Sequence, residues 1–358
     1  MSFENPSLVL HTPGVSGSVT WESPSNLAII KYWGKHGKQL PRNASLSLTL
    51  SESYSRTTIN YTGKSDRGLQ LEFTFEGKQK PEFEERIRKF LNTLFAYFPF
   101  LNQLALSIES RNSFPHSSGI ASSASAMSAL AMGLCSIENE LFGSLSDKTE
   151  FLKKASFISR LGSGSASRSV YAEASIWGHV DGIPSSSDLY AIPWAHNIHS
   201  DFKTFRDTIL IVSPEQKKVS SSAGHQLMEG NVFAQARYAQ ANERLMTLNH
   251  AMKEGDLSTF GKIAEDEAMT LHALMMCSEP SYMLIEPGSV SIMKKVRQFR
   301  ESSKLPVYFS LDAGPNIHLL YPESIVNEVT ELINEELVLY CTDKKIIFDL
   351  VGKGPKKI

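Results

Sequence analysis

Alternation of apolar and polar residues predicts several strands in the first half of the chain. The segment 45–53 places leucine at every second position between mostly hydroxyl-bearing residues, and 69–75 alternates leucine and phenylalanine with glutamine, glutamate and threonine. A period of two is typical of strands that bury one face. A third strand, over 104–110, is predicted directly before a stretch of small residues.

Apolar residues at helical spacing predict the helices. One face of the segment 81–98 carries Phe83, Ile87 and Leu94, which indicates an amphipathic helix. A second helix, over 124–134, follows the stretch of small residues. The remaining predicted helices cover 147–161, 226–253, 256–276, 289–303 and 326–336.

The periodic pattern becomes irregular over 178–206, where Pro, Ser, Asp and Gly cluster. Such clusters mark loops, so we predict a domain boundary near the end of this segment and two domains, 1–203 and 204–358. Strands and helices interleave without regular βαβ alternation, which predicts an α+β fold with two subdomains. Strands of the second domain are predicted at 207–213, at 345–350 and, as a pair joined by a turn, within 306–322.

Composition indicates a globular protein and limits its partners. Of the 358 residues, 41% are hydrophobic and 21% are charged, and the formal net charge is −2. Proteins that bind nucleic acids usually carry a basic face or tail, and this chain has no long basic run, so we expect no nucleic-acid partner. Small anionic ligands remain compatible with the composition because a few clustered lysines and arginines suffice to bind them.

The cysteines and the apolar runs bear on the compartment. Cys135, Cys277 and Cys341 lie far apart and form no CxxC pair, so neither a disulfide framework nor a structural zinc site is predicted. The first residues lack the basic and apolar segments of a signal peptide. No run approaches the ~20 apolar residues of a membrane-spanning helix. We therefore expect a cytoplasmic protein without a membrane segment.

The first of four segments with candidate chemistry is 23–37. Lys31 and Lys35 bracket Tyr32, Trp33 and a glycine directly after an apolar run. Two solvated lysines at the end of a strand would explain the pattern structurally. The functional interpretation is a cationic pair beside an aromatic wall, which suits a phosphorylated ligand.

The second segment is 114–127, in which Ser, Gly and Ala predominate between a predicted strand and a predicted helix. Small residues there allow either close packing or a close approach of the backbone to an anion. The start of a helix offers unpaired N–H groups and the positive end of the helix dipole, so it can bind phosphate. Ser122 and Ser123 would add hydroxyl donors in the first turn. The chain has no GxxxxGK[ST] motif, which excludes a Walker A loop.

The third segment, 160–169, contains GSGSAS followed by an arginine. It lacks the third glycine of a dinucleotide-binding fingerprint and follows a helix, so a Rossmann site is not predicted. A flexible linker is one interpretation. The other is an ordered loop in which Ser163, Ser165 and Arg168 grip a diphosphate.

The fourth segment, SLDAGPN at 310–316, lies between two predicted strands. Asp, Gly, Pro and Asn are common turn residues, and a structural turn alone would explain them. An aspartate at the end of a strand, beside a tight turn, is also well placed to act as a base. Asp312 is therefore a candidate catalytic residue.

Together these segments resemble the mevalonate diphosphate decarboxylases of the GHMP kinase superfamily. The resemblance rests on five pieces that occur in the family's order and at about its spacing: NLAIIKYWGK, FPHSSGIASSASA, RLGSGSASRSVY, KKVSSSAGHQL and FSLDAGPN. It implies an α+β fold with a ribosomal-protein-S5-like N-terminal half, including a left-handed crossover, and a ferredoxin-like C-terminal half. It also implies an active site in the cleft between the halves.

The same resemblance implies a reaction and its participants. The expected reaction converts mevalonate 5-diphosphate to isopentenyl diphosphate and CO₂, with ATP consumed to ADP and phosphate, in the mevalonate route of isoprenoid biosynthesis. ATP and Mg²⁺ are the implied cofactors, without assigned metal ligands, and the relatives are often homodimers. Competing hypotheses are a phosphomevalonate decarboxylase, a small-molecule kinase of the mevalonate type, and a non-catalytic sensor of nucleotide or metabolite.

Roles for individual residues follow from the matched motifs. The resemblance implies that Asp312 is the base facing the C3 hydroxyl and that Lys31 stabilises charge on the transferring phosphoryl group. The implied contacts and supports of the substrate are Asn26, Tyr32, Lys35, Arg86, Ser163, Ser165, Arg168, Ser221 and Ser222. The implied ATP contacts are Ser118, Gly119, Ala121, Ser122 and Ser123.

Two stretches depart from the family pattern. His116 and Ser117 stand where the phosphate loop more often has Thr and Ala, and Ala172 and Glu173 stand where the family commonly has two glycines. A carboxylate at position 173 is expected to alter the nearby pocket and the fine substrate preference.

Overall fold

The computed structural model describes residues 3–12, 14–115, 120–214 and 219–358. Two predicted phosphate contacts, Ser118 and Gly119, lie outside the described residues. The unusual His116 and Ser117 lie outside them as well.

The strands of the described ranges lie in both halves of the chain. In chain order they are β1 (Ser16–Ile30), β2 (Lys35–His36), β3 (Leu40–Pro41), β4 (Ser45–Gly63), β5 (Gln70–Phe75), β6 (Lys78–Gln79), β7 (Leu104–Asn112), β8 (Ala174–Trp177), β9 (Ala191–Pro193), β10 (Arg206–Leu210), β11 (Tyr308–Ser310), β12 (Ile317–Tyr321), β13 (Ile346–Leu350) and β14 (Lys356–Lys357).

The helices alternate irregularly with these strands. The α-helices are α1 (Pro81–Asn92), α2 (Ser122–Phe142), α3 (Lys148–Gly162), α4 (Ser221–Gln226), α5 (Ala234–Glu254), α6 (Leu257–Met276), α7 (Pro287–Ser303) and α8 (Val326–Leu332). Short 3₁₀ helices span Pro99–Gln103, Gly164–Val170, Ala195–Asn197, Ser200–Lys203, Glu323–Ile325, Val338–Tyr340 and Thr342–Lys344, and a π-helical turn spans Ile333–Leu337. No helix in the described ranges has the length and apolarity needed to cross a membrane.

The N-terminal half is built on a large mixed sheet. Its strand order is β14-β1-β4-β7-β5-β6, and β8 pairs with β4 and with β9. The long strands β1 and β4 are antiparallel, with Val19 opposite Ile59, while β5 runs parallel to β7. Helix α2 packs on β1 and β4, where its apolar residues meet the inward-facing residues of these strands. The alternation read from the sequence thus corresponds to one face buried under helices.

The C-terminal half has its own antiparallel sheet, in the order β11-β12-β10-β13. Helices α6 and α7 pack against β11. The buried core of this half combines residues of β11, β12, α7 and α8. Asp312 lies in the connection between β11 and β12, so the sheet holds this residue at one of its edges.

The two halves are joined by more than the chain connection. Strand β14, at the C-terminus, pairs with β1 in the N-terminal sheet. The carboxylate of Asp349, 1% exposed on β13, accepts hydrogen bonds from the backbone N–H groups of Ser51, Glu52 and Ser53 at 2.8–2.9 Å. One apolar cluster contains both Leu46 and residues of α5 and α6. These contacts hold the halves together on either side of a cleft.

The predicted α+β class with two subdomains and interleaved strands and helices is confirmed; besides the two sheets described above, β2 and β3 form a two-stranded sheet. Most predicted elements are present, with shifted ends. The helix predicted over 81–98 ends at Asn92, where 3₁₀-type turns replace it and keep Leu94 buried. The helix predicted from 226 begins at Ala234, because Gly230 adopts a left-handed conformation with φ of 84° that interrupts helical geometry. The left-handed crossover, the ferredoxin-like label and the boundary after residue 203 stay predictions.

Candidate active site

A cleft of about 720 Å³ lies between the two halves. Residues from the N-terminal sheet, α1, α2, the 164–170 turn, α4 and the β11–β12 connection reach it. The lining includes Asn26, Lys31, Tyr32, Trp33, Lys35, Gln39, Arg86, Lys89, Ala121, Ser123, Ser163, Gly164, Ser165, Arg168, Ser221, Ser222, His225 and Asp312. Most of the predicted site residues within the described ranges therefore meet in one place; Ser122 is outside this lining.

At the centre of the cleft, Lys31 and Asp312 form an ion pair. Lys31 directly follows β1, and its Nζ donates to Oδ1 of Asp312 at 3.0 Å. The lysine side chain is 2% exposed and the aspartate side chain 22% exposed, so the carboxylate is the partner that a ligand can reach. A buried ammonium beside a half-open carboxylate can stabilise negative charge and accept a proton within a few ångströms.

The backbone around Asp312 is held in a tight turn. The N–H of Gly314 donates to the Asp312 carbonyl at 2.7 Å, and Nε2 of His272 lies 3.1 Å from the same oxygen. His272 lies on α6, so the helix and the turn both restrain the aspartate. The structure thus contains the predicted turn and places the candidate base beside Lys31.

Arg168 forms the floor of the cleft. The segment 164–170 is an ordered 3₁₀ helix, so the flexible-linker interpretation is wrong for this loop. Arg168 is 2% exposed, its Nη1 donates to Ser45 Oγ, and its Nε donates to Asn26 Oδ1 at 3.4 Å. Burial lowers the pKa of Arg168 to about 10, which leaves the guanidinium charged at neutral pH.

Asn26 joins Arg168 to the serine-rich segment 163–169, called the serine loop below. Its Nδ2 donates to the Ser165 carbonyl at 3.1 Å and to Ser169 Oγ at 2.7 Å. The hydroxyl of Ser163 lies 3.5 Å from that of Ser165 and 3.2 Å from that of Ser123, which belongs to α2. A row of hydroxyls therefore connects the Arg168 loop with the first turn of α2.

The first turn of α2 opens into the cleft. The residue before it, Ala121, has φ of 45°, a left-handed conformation that is unusual for an alanine, and no side chain of the described residues caps the helix. The first N–H groups of a helix have no partners within it, so an anion can bind there. Ala121 and Ser123 line the cleft, whereas Ser122 does not.

Lys35 and α4 close the opposite wall. The Lys35 ammonium donates to Gln39 Oε1 at 2.9 Å and to Ser222 Oγ at 3.2 Å. Burial lowers the pKa of Lys35 from its ordinary value. Ser221 and Ser222 start α4, and both line the cleft.

A cluster of three tilted aromatic rings, missed by the sequence interpretation, joins α4 to the end of β1. The ring of His225 lies 4.2 Å from that of Tyr32 and 4.6 Å from that of Trp33. The N–H of Gly34 donates to His225 Nδ1 at 2.9 Å, so this nitrogen is unprotonated and Nε2 carries the proton. The Tyr32 hydroxyl is buried and has no hydrogen-bond partner among the described residues.

We predict that His225 stays neutral over the working range of the protein. Burial, followed by repulsion from Lys35 and Arg168, lowers its pKa to about 3. In ¹⁵N spectra of labelled protein between pH 5 and 8, His225 should show one neutral tautomer with hydrogen on Nε2. The urea-unfolded chain is the control, in which histidine titrates near pH 6.5. A His225 signal that titrates within this range in the folded protein would contradict the geometry.

Two further placements concern the edges of the cleft. Arg86 lines it from α1, together with Lys89, which the sequence interpretation missed although it follows Arg86 by three positions on the same helix. The expectation that Glu173 alters the nearby pocket stays a prediction. Glu173 does not line the cleft; its carboxylate lies 3.6 Å from Lys203 Nζ, and its N–H donates to the Gly352 carbonyl.

No group of three or more His, Cys, Asp or Glu residues that could hold a metal occurs within the described ranges. Magnesium is often bound by one or two carboxylates together with phosphate oxygens and water. The hydroxyl of Ser123, which lines the cleft, is an oxygen donor that can add to those of the phosphates. The donor set therefore fits a magnesium ion that is carried largely by phosphates.

The fold and the cleft together define a two-domain α+β enzyme whose cationic, hydroxyl-rich site binds polyanionic small molecules. The diphosphomevalonate decarboxylase-like N-terminal domain matches residues 23–190, and the mevalonate 5-diphosphate decarboxylase C-terminal domain matches residues 208–357. The chain belongs to the diphosphomevalonate decarboxylase family. The resemblance stated from the motifs is thereby confirmed.

Individual relatives agree over most of the chain. The diphosphomevalonate decarboxylase of Ganoderma lucidum is 30% identical, with 88% of this chain and 80% of the relative covered. A mevalonate diphosphate decarboxylase structure from Staphylococcus aureus has a TM-score of 0.81 at 27% identity and covers 96% of this chain and 98% of that one. The structure named "MDDEF in complex with MVAPP, AMPPCP and Magnesium" has a TM-score of 0.79 at 27% identity, with 96% and 99% covered.

Proposed function

We propose that this protein catalyses the ATP-dependent decarboxylation of mevalonate 5-diphosphate to isopentenyl diphosphate, with release of CO₂, ADP and phosphate. The observation that carries the proposal is the Lys31–Asp312 ion pair, 3.0 Å long, in a cleft that also contains Arg168 and Lys35. Family membership supports the same reaction. In this setting a carboxylate, a buried ammonium and two anion-binding cations face one space.

The substrate chemistry explains why these residue types are needed. Mevalonate diphosphate is a β-hydroxy acid, so it has no carbonyl that could accept electrons as CO₂ leaves. Hydroxide is a poor leaving group, and phosphorylation of the tertiary C3 hydroxyl converts it into a good one. The protein must align that hydroxyl with the γ-phosphate of ATP and remove its proton.

Asp312 and Lys31 have separate roles in this reaction. Asp312, the more exposed partner of the pair, accepts the proton of the C3 hydroxyl. Lys31 remains beside it as a fixed positive charge and stabilises the negative charge of the transferring phosphoryl group. Because its side chain is 2% exposed, water screens this charge weakly.

The substrate's diphosphate binds at the floor of the cleft. The Arg168 guanidinium, the Ser163 and Ser165 hydroxyls and the Tyr32 hydroxyl, which has no partner among the described residues, offer donors there. Lys35 adds a second charge from the wall. Asn26 orients this set through its bonds to Arg168 and to the Ser165 carbonyl, and Arg86 and the α4 serines Ser221 and Ser222 complete it from the cleft edges.

ATP phosphates bind at the first turn of α2, where Ala121 and Ser123 line the cleft. The other proposed ATP contacts are Ser122 and, outside the described residues, Ser118 and Gly119. The complex of a relative with AMPPCP and magnesium supports ATP and Mg²⁺ as cofactors. When bound, the ion would neutralise phosphate charge.

We further propose that the protein has two domains, 1–203 and 204–358, that it forms a homodimer and that it is cytoplasmic.

The wild-type reaction tests the proposal and its rivals. The purified protein is incubated with ATP, Mg²⁺ and mevalonate 5-diphosphate, and CO₂, ADP and isopentenyl diphosphate are measured. Equal amounts of CO₂ and ADP are expected. ADP without CO₂ would indicate a kinase, activity only with the 5-monophosphate would indicate a phosphomevalonate decarboxylase, and binding without turnover would indicate a sensor.

We predict that Ser123→Leu weakens the binding of ATP much more than the binding of mevalonate diphosphate. The larger side chain would stand in the first turn of α2, whose N–H groups are proposed to face only the nucleotide. The KM values for both ligands and the melting temperature are measured, with Ser123→Ala as the control that removes the hydroxyl without adding bulk. An equal rise of both KM values in a folded Ser123→Leu protein would point to a packing role for the small residues.

A further inference from the structure

The backbone N–H and C=O groups of Lys31 are held by residues of the C-terminal half. Its N–H donates to Glu267 Oε2 at 2.9 Å, and its carbonyl accepts from Arg237 Nη2 at 3.1 Å. Glu267 lies on α6 and Arg237 on α5. The two backbone polar groups of one residue thus bind the two partners of a single ion pair.

That ion pair is fully buried and bidentate. Arg237 Nη1 and Nη2 donate to the two oxygens of Glu267 at 2.7 and 2.6 Å, and the side chains are 1% and 0% exposed. Arg244 Nη1 donates to Oε1 of the same carboxylate at 2.9 Å. Burial opposes ionisation of Glu267, but Arg237, Arg244 and the Lys31 N–H outweigh it, so the pKa of this carboxyl is lowered.

We propose that Glu267 and Arg237 are positioning residues that set the place of Lys31 relative to Asp312. The inference rests on the proposed function, in which the Lys31 ammonium must stay beside the base and the phosphoryl group. Fixing both the N–H and the carbonyl of a residue fixes its Cα and the direction in which its side chain leaves the backbone. A displacement of about 1 Å at such a group can cost about a hundredfold in rate.

A purely stabilising role explains the arrangement less well. Buried ion pairs are frequently no more stabilising than apolar residues of the same volume, because desolvation offsets their attraction. Arg237 Nε is buried without a hydrogen-bond partner among the described residues, so the arginine is not placed to satisfy all its own donors. Its geometry instead serves the carboxylate and the carbonyl of Lys31. Asn43 Nδ2 donates to that carbonyl as well, at 3.0 Å.

The same helix offers a matched control. Glu265 is 5% exposed, and its carboxylate accepts from Arg300 Nη1 at 2.6 Å and from Arg297 Nε at 3.3 Å. Both arginines lie on α7, so this pair joins α6 to α7 instead of to the end of β1. Glu265→Gln therefore weakens a second ion pair of α6 without touching Lys31, although its arginines are 26% and 49% exposed and Arg237 is 1% exposed.

The experiment compares Glu267→Gln with Glu265→Gln in the full chain. Glu267→Gln should lower kcat about 10- to 100-fold, with KM for ATP and mevalonate diphosphate changed less than about threefold, since the binding groups are elsewhere. Glu265→Gln should keep kcat within about threefold although its melting temperature also falls. Glu267→Asp should recover part of kcat. Equal kcat losses in the two glutamine variants, or no loss in Glu267→Gln, would overturn the proposal.

The contacts of Glu267 and Arg237 with the Lys31 backbone are called the clamp below. Amide hydrogen exchange at Lys31 tests this clamp without relying on turnover. The Lys31 N–H should exchange at least about tenfold faster in Glu267→Gln, or in Glu267→Asp if the former does not fold, than in Glu265→Gln. Unchanged exchange would refute the clamp even in an active enzyme. If the Glu267 variant shows the faster exchange but the wild-type protein lacks decarboxylase activity, the proposed function is refuted and the contact of Glu267 with the Lys31 backbone still stands.

A double variant separates positioning from stability. Arg237→Met combined with Glu267→Leu removes both charges and keeps an apolar volume, a change that often preserves or raises stability. Arg244 and the Lys31 N–H also lose their acceptor, so the expected unfolding midpoint is no lower than that of Glu267→Gln, in which Arg237 stays buried without its carboxylate, and kcat is still reduced at least about tenfold. A stable double variant with wild-type kcat would show that the ion pair does not position Lys31.

Discussion

Replacing Asp312 with Asn should lower kcat by roughly 10²- to 10⁴-fold, the usual contribution of a positioned general base. Asparagine keeps the size and polarity of the side chain but cannot accept the proton of the C3 hydroxyl. The KM for mevalonate diphosphate should change little, because the proposed diphosphate contacts lie on Arg168, Lys35 and the serine loop. Steady-state kinetics and calorimetric titration with the substrate give the two quantities.

The ion pair requires a control in this experiment. Asp312→Asn leaves the Lys31 ammonium, which is 2% exposed, without its carboxylate partner, so some stability will be lost. Melting temperatures, measured with and without substrate, show whether the variant remains folded under assay conditions. A folded Asp312→Asn enzyme that retains more than about a tenth of wild-type turnover would refute the assignment of Asp312 as the base.

Replacing Arg168 with Ala should strongly weaken binding of the diphosphate substrate. It should also reduce the ratio of kcat/KM for the diphosphate to kcat/KM for the 5-monophosphate. A hydrogen bond to a charged group is worth roughly 1.5 to 3 kcal/mol, or about ten- to a hundredfold in binding. The monophosphate cannot use all the donors of Lys35, Ser163, Ser165 and Arg168, so it should lose less. The measurement is kcat/KM for both substrates in the wild type and in Arg168→Ala.

The control for this variant is a second buried arginine. Arg160, on α3, is also 2% exposed, and burial lowers its pKa to about 10 as it does that of Arg168. It does not line the cleft; its Nε donates to the Leu189 carbonyl and its Nη1 to the Lys38 carbonyl. Arg160→Ala should lower stability while the ratio of the two kcat/KM values stays near that of the wild type.

Arg168→Lys adds a test of geometry. Lysine restores the charge but lacks the planar fork that bonds Ser45 and Asn26 on one side, so it should not fully restore diphosphate use. Should Arg168→Ala reduce kcat/KM equally for both substrates, or should the wild type use them equally well, the diphosphate site would be misassigned.

Local pattern was sufficient for most elements and for the composition of the site. Period-two and helical spacing are properties of neighbouring residues, so β4, β5, β7 and α2 could be predicted without knowledge of contacts. The segments around Lys31, Ser123, Arg168 and Asp312 could be selected for the same reason, because their chemistry lies in short runs. Element ends were less predictable, since Gly230 interrupts a helix that apolar spacing alone would continue.

Contacts between distant parts of the chain could not be read in this way. Glu267 lies on a helix whose residue pattern contains no chemical motif, and His225 lies within the motif segment KKVSSSAGHQL but was not selected from it. The importance of both comes from what they touch. His225 lies against Tyr32, and Glu267 receives the N–H of Lys31, 236 positions away. The position of Glu173 could not be read from the sequence either: it directly follows a motif, and its carboxylate lies 3.6 Å from Lys203 Nζ, outside the lining of the cleft.

The α+β class, the family and the residue types of the site could be predicted without the structure, because each can be recognised from short runs of residues. Tertiary structure alone decided that Lys31 and Asp312, 281 positions apart, lie 3.0 Å from each other. It also decided that the ion pair of Arg237 and Glu267 holds the lysine backbone. The physical reason is that these distances depend on how the two halves pack, through β14, Asp349 and a shared apolar cluster, and no local period encodes that packing.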